Sequence, residues 1–256
     1  MKAHSFVKVS AGAITVGGLL AIVLSTSSPR VQAHEFPENG SDESLVHLGY
    51  EIAPVPLNLT GKDRSLVGLG SYLVNAVGDC NGCHNGGPPP NFNYAAGGNP
   101  YFGQKTVVDP TTYLAGGADF GKALPPGFYD PGYGSYLGPD IITRNLTPDR
   151  TGRAEGGHTL AEFKQIMRTG IDLDHVHPPC TTVSPHPSPA NCIPAPVDGN
   201  LLQIMPWPVF HNMSDRHLEA IYEYLSAIPC IDGSPDPKNL LHNDCGTPAK
   251  RPHDKD

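Results

Sequence analysis

The chain is short of the residues that build ordinary protein interiors. Of its 256 residues 38% are hydrophobic, 7% aromatic and 16% charged, with one tryptophan and four methionines. So few charges exclude a salt-bridged coiled coil, and so few apolar residues exclude a long helical bundle. Long apolar runs are missing everywhere except near the N-terminus. No cysteine precedes Cys80, which argues against lipid attachment near the start of an exported chain. Punctuation is abundant instead: 29 glycines and 28 prolines make up more than a fifth of the chain. That lies just under the share of about 25–30% that marks low complexity. A core this thin stabilises weakly against chain entropy, so some other body is expected to supply apolar mass.

Residues 1–33 read as a signal peptide. Lys2 and Lys8 give a positive start, residues 11–24 are mostly apolar, and Val31-Gln32-Ala33 has the form of a small-residue cleavage site. An apolar stretch of about 14 residues is short for a membrane span. An uncleaved N-terminal anchor is the alternative. Export to a bacterial periplasm is expected, with membrane association only through a partner or an uncleaved signal. Loss of Lys2, Lys8 and Arg30 takes the formal charge from −8 to −11. So acidic a chain excludes nucleic acid and anionic lipid surfaces as partners, and no transmembrane span is expected after signal removal.

Residues 34–62 are polar and read as an extended leader. Leu66, Leu69, Leu73 and Val77 then recur at helical spacing and predict a helix over 63–77. Thr159 and Glu162 form a capping box that opens a second helix, which Gly170 ends. Ser214 opens a third, with Leu218, Ile221, Tyr222 and Leu225 on one face and Pro229 as its stop. The domain spans 63–230, with irregular insertions at about 91–139 and 175–200. Residues 231–256 form a polar tail.

Cys80-Asn81-Gly82-Cys83-His84 decides the chemistry. Two cysteines three apart, followed at once by histidine, are the attachment signature of c-type haem. On one helical turn both sulfurs share a face and reach the two vinyl groups of one haem edge, while the imidazole of His84 turns toward the iron. A thioredoxin-like pair would need a βαβ setting, a zinc site a second close pair, and a Cys80–Cys83 disulfide a strained loop. None of these fits the surroundings.

The iron needs a sixth ligand or an open site. Met1 is lost with the signal, Met167 is required on a helix face, and Met213 packs at a helix entry. Met205 is left, in Ile204-Met205-Pro206-Trp207-Pro208, where two prolines hold the backbone. A His/Met pair raises the reduction potential and closes the iron to substrates. A core-filling methionine is the plainer reading, and His211 is the competing ligand nearest in sequence.

Taken together these pieces resemble class I c-type cytochromes, in particular bacterial periplasmic haem domains and the cytochrome subunits of dehydrogenases. The matching residues run in order: Gly70-Ser71-Tyr72-Leu73-Val74, the Cys80–His84 motif, Arg144-Asn145-Leu146-Thr147-Pro148-Asp149, Glu162-Phe163 with Arg168-Thr169-Gly170, Met205-Pro206-Trp207, and Met213-Ser214-Asp215 with Ala220 to Leu225. The resemblance implies an all-α, haem-wrapping domain whose first and last helices cross, with Gly70 near Tyr224. It implies one covalent haem c on Cys80 and Cys83, with His84 and Met205 as axial ligands. Asn145, Thr147 and Trp207 would lie near the haem. The two insertions depart from the family pattern.

The four remaining cysteines of an exported chain are expected as disulfides, Cys180–Cys192 and Cys230–Cys245, each closing a short irregular loop. A metal site from His175, His177, Cys180, His186 and Cys192 is the alternative. The expected function is one-electron transfer, without bond chemistry, between redox proteins such as a dehydrogenase or a terminal oxidase. The alternative is a haem enzyme or sensor with a labile sixth ligand.

Overall fold

The computed structural model describes residues 42–86, 94–124, 136–181, 191–233, 236, 238–241, 243 and 245. The chain divides into Met1–Pro37 and Glu38–Asp256, and every described residue lies in the second unit. The expected signal peptide and His186 fall outside the described residues. Among these, no helix is long and apolar enough to cross a membrane.

The expected extended leader is corrected over part of its length, because helix α1 spans Asp42–Ile52. Asp42 and Glu43 stand in its first turn, where they complement the helix dipole. Helix α2, Arg64–Tyr72, begins where Asp63 accepts from the backbone N–H groups of Ser65 (2.8 Å) and Leu66 (3.1 Å). The two helices are joined by Tyr50 Oη donating to the Arg64 carbonyl (2.8 Å) and Ser71 Oγ to the Gly49 carbonyl (2.6 Å). After α2 the chain widens into a π-turn, Leu73–Val77, and then forms the single turn α3, Cys80–Cys83.

Helix α5, Leu160–Thr169, carries the expected capping box of Thr159 and Glu162 and ends at Gly170. Helix α7, Asp215–Leu225, is capped by Ser214. Single turns occur at Ala154–Gly157 (α4) and Trp207–Phe210 (α6). Helices α2 and α7 pack at Gly70, where a Cβ would collide with the Ala220 carbonyl and with Tyr224 Cβ. The residue with no side chain is what lets the two backbones approach. Val67, Leu69, Leu218, Tyr224 and Leu225 are buried around that contact, with Tyr113 from the first insertion.

The all-α expectation is overturned. Helix accounts for only 35% of the described residues, and the strands β1 (Asp119–Lys122) and β2 (Asp140–Ile142) pair antiparallel with an irregular register. The fold is mixed and largely irregular. Glycine and proline are the cause: one adopts positive φ at little cost, the other lacks the N–H that a helix or ladder needs. The described residues of the two insertions therefore run as straps held by bonds to other segments. Both expected disulfides, Cys180–Cys192 and Cys230–Cys245, are formed.

Candidate functional site: an apolar cavity floored by the cysteine–histidine turn

Cys80 and Cys83 stand on α3, and the His84 N–H closes that turn on the Cys80 carbonyl (2.9 Å). Both cysteines are free thiols. Burial, then the neighbouring Asp79 charge, then Cys83 push the Cys80 thiol up to about 12. Burial and Asp79 raise Cys83 as well. Redox and metal-binding cysteines work as thiolates with lowered pKa, and this pair is displaced the other way.

His84 is 8% exposed, and burial lowers its pKa to about 4, against a smaller upward pull from its bond to the Arg144 carbonyl and alongside the Arg144 charge. The ring is therefore neutral. Its Nδ1 lies 2.9 Å from the Arg144 carbonyl, a contact that makes Nδ1 the protonated nitrogen and leaves Nε2 as a lone-pair donor.

The first strap anchors this turn. Leu114 N–H donates to Asn81 Oδ1 (2.9 Å), Gly86 N–H to the Thr112 carbonyl (2.9 Å) and Gly116 N–H to the His84 carbonyl (2.8 Å). On its other side the Leu146 N–H donates to the Leu114 carbonyl (2.9 Å) and the Gly117 N–H to the Thr143 carbonyl (2.7 Å). Gly116, at φ +68°, lies against the Arg144 carbonyl, where a Cβ has no room. The stretch Thr112–Gly117 is thus the part that sets His84 against Arg144.

Above the turn lies a cavity of about 410 Å³ whose wall is overwhelmingly apolar. Leu73, Ile141, Leu146, Phe163 and Ile221 line it together with Cys80, Cys83 and His84. Its size falls within the range of about 300–1,000 Å³ usual for cofactor sites. Val77, Ile204 and Val209 line it too while being 61%, 55% and 69% exposed, so its mouth is rimmed with apolar side chains.

Met205 lines the cavity, and so do Met167 and Met213. Their settings differ. Met167 is 6% exposed within the core, whereas Met205 is half-buried on an irregular loop. Met205 N–H bonds the Gln203 carbonyl (2.7 Å), its own carbonyl accepts from Trp207 (2.8 Å), and Ile204 before it holds φ +68°. A branched residue at positive φ is strained backbone. All five non-glycine residues with positive φ among those described fall at this site or beside it. Asp79, Glu155 and Ile204 line the cavity, Leu114 holds Asn81, and His175 precedes the lining residue Val176.

The other expected haem neighbours stand elsewhere. Asn145 accepts from Thr147 N–H (2.8 Å) and donates to the Ile231 carbonyl (2.8 Å), and Asn243 Nδ2 donates to the Thr147 carbonyl (3.1 Å). The pair clamps the tail and does not line the cavity. Trp207 packs against Gly170, also outside the lining. His211 Nδ1 is held by the Arg168 carbonyl and does not line the cavity. Among the described residues no group of histidine, cysteine and carboxylate is disposed to hold a metal ion, and Cys180 and Cys192 are consumed in a disulfide.

Sequence reading missed a buried cluster behind His84. Arg144 Nη1 lies 2.7 Å from Asp174 Oδ2 and 3.3 Å from Glu155 Oε1, and Nη2 lies 3.0 Å from Asp172 Oδ1. Burial opposes the guanidinium charge, but the three carboxylates outweigh it and raise the Arg144 pKa. No local pattern announces this cluster, because its members lie up to 30 residues apart.

Comparison with known protein families, with characterised proteins and with solved structures finds no match.

Proposed function

We propose that the chain is an exported monohaem c-type cytochrome that passes single electrons between redox proteins. The observation that carries this reading is the Cys80–His84 turn on the floor of an apolar cavity, with two free thiols and a neutral histidine anchored through Nδ1. These residues fit a covalently held haem: Cys80 and Cys83 would bond it, His84 Nε2 and Met205 Sδ would ligate its iron, and the apolar wall would shield it from water. When bound, such a group supplies reversible one-electron chemistry at the iron. The chain's own work is to hold His84 in one tautomer, exclude water and keep Met205 in place. The apolar rim of Val77, Ile204 and Val209 suits brief docking of a partner such as a dehydrogenase or terminal oxidase. Two disulfides accord with an oxidising compartment.

The test is production with the c-type maturation machinery, followed by haem staining on a denaturing gel. Wild type stains, and the Cys80→Ala/Cys83→Ala variant loses the stain completely. The reduced protein shows low-spin c-type bands and binds no carbon monoxide. Met205→Ala opens the iron to carbon monoxide and lowers the potential, while Met167→Ala and Met213→Ala keep the low-spin bands. A high-spin wild type that binds ligands freely would instead point to peroxide or small-gas chemistry.

A further inference from the structure

The cluster around Arg144 does not behave as an ordinary buried ion pair. One guanidinium faces three carboxylates, all nine-tenths or more buried: Arg144 is 9% exposed, Glu155 6%, Asp172 5% and Asp174 2%. His158, 1% exposed, lies 3.6 Å from Glu155 Oε2 and 3.8 Å from Asp174 Oδ2. By formal charge, one guanidinium against three carboxylates leaves the cluster net negative. Neither burial nor pairing justifies that excess as a source of stability, since breaking even with one partner already requires ideal geometry.

Its position gives it another use. Arg144, Glu155 and Asp172 line the cavity, and with Asp79 they are its charged lining residues: three anions and one cation. Glu155 Oε2 makes no hydrogen bond, and Glu155 is held at φ +52°. The carbonyl of the same Arg144 receives His84 Nδ1. One residue thus ties the histidine to the anionic cluster.

We infer that Glu155, Asp172 and Asp174, gathered by Arg144, are positioning residues that lower the reduction potential of the haem site while fixing the tautomer of His84. The inference rests on the cytochrome reading. Its physics is Coulombic. Reduction takes one electron from an external one-electron donor and converts ferric to ferrous iron, and no bond is made or broken. The added electron meets uncompensated negative charge in a medium that screens poorly, so the ferric state is favoured. Because the carboxylates are buried, dissolved salt weakens the effect little.

The experiment is a redox titration of haem-loaded wild type, Asp174→Asn and Glu155→Gln, with Glu51→Gln as an exposed control that removes the same charge. Each cluster variant raises the ferrous-to-ferric ratio at fixed ambient potential by about three- to thirtyfold, or about 30–90 mV at roughly 59 mV per tenfold. The shift persists at about 0.5 M salt, whereas Glu51→Gln changes the ratio less than twofold. Cluster shifts below twofold, or shifts that salt abolishes, overturn the inference. So does loss of covalent haem in both cluster variants, which would make the cluster a folding element alone. Absence of haem from wild type is a different result: it removes the cytochrome reading itself, and the inference falls with it.

Discussion

Helix α7 and the strap 171–206 wall the same cavity, yet different forces hold them. Helix α7 is ordered locally and by apolar burial. Ser214 caps it, Leu218 and Tyr224 are 0% exposed, and Gly70 of α2 lets it seat closely. Among its described residues the strap has no helix. It is pinned by the Ile171–Leu201 and Pro179–Ile193 bridges, by the Cys180–Cys192 disulfide and by the grip of Arg144 on Asp172 and Asp174. The frame therefore stands on contacts that each helix's own pattern dictates. The strap stands instead on bridges, a disulfide and ion pairs that tie irregular segments 12 to 30 residues apart.

The strongest way to break this contrast is to deny the cavity the proposed haem. In the Cys80→Ala/Cys83→Ala protein, amide exchange in 171–206 should rise by about two orders of magnitude while α2 and α7 change far less. Uniform protection across both regions would show that the distinction does not exist. Next in size is an attack on the frame. Gly70→Val forces a branched side chain into the Ala220 carbonyl and should cost about 3 kcal/mol or more, read as an earlier urea midpoint by far-ultraviolet circular dichroism.

Removing the strap's own tether is a smaller perturbation. Cys180→Ser/Cys192→Ser should cost about 2–3 kcal/mol, with faster exchange confined to the strap. Faster exchange spread over α7 as well would mean that the two regions unfold as one. Smallest is Ser214→Ala, which removes the acceptor of the bond donated by the His217 N–H to Ser214 Oγ (3.2 Å). It should cost about 1 kcal/mol and leave strap exchange untouched.

Much of the frame was legible because its signals are short-range. Asp63, Thr159 and Ser214 open helices where a capping residue precedes an apolar stripe, and Gly70 meets Ala220 and Tyr224 as the resemblance implied. Helix α1 lies in the stretch expected as an extended leader: Leu45, Leu48 and Ile52 do recur at helical spacing, but in a short polar segment whose closest packing position, Gly49, has no side chain to mark it. The π-turn after α2 escaped notice for another reason. It is stabilised by Asn75 turning inward, where its Oδ1 accepts from Tyr113 (2.6 Å) and its Nδ2 reaches Tyr224 (3.2 Å). Both partners are distant in sequence.

The same division runs through the site. Cys80, Cys83 and His84 are close in sequence, so helical geometry alone places them on one turn, and their spacing is what suggested the proposed chemistry. The disulfides followed from loop length and compartment. Asn145 and Thr147 bond to the tail, and Trp207 packs on Gly170, contacts that no local pattern announces. Which carbonyl receives His84, which strap carries it, and how many charges gather behind it are questions of long-range pairing. A local pattern is written in neighbouring residues, whereas a cluster drawn from 144, 155, 172 and 174 exists only once the chain has closed on itself. The sequence by itself determined the cysteine–histidine turn. Only the tertiary structure decided the mixed, strap-bound fold around it and the negative charge behind its histidine.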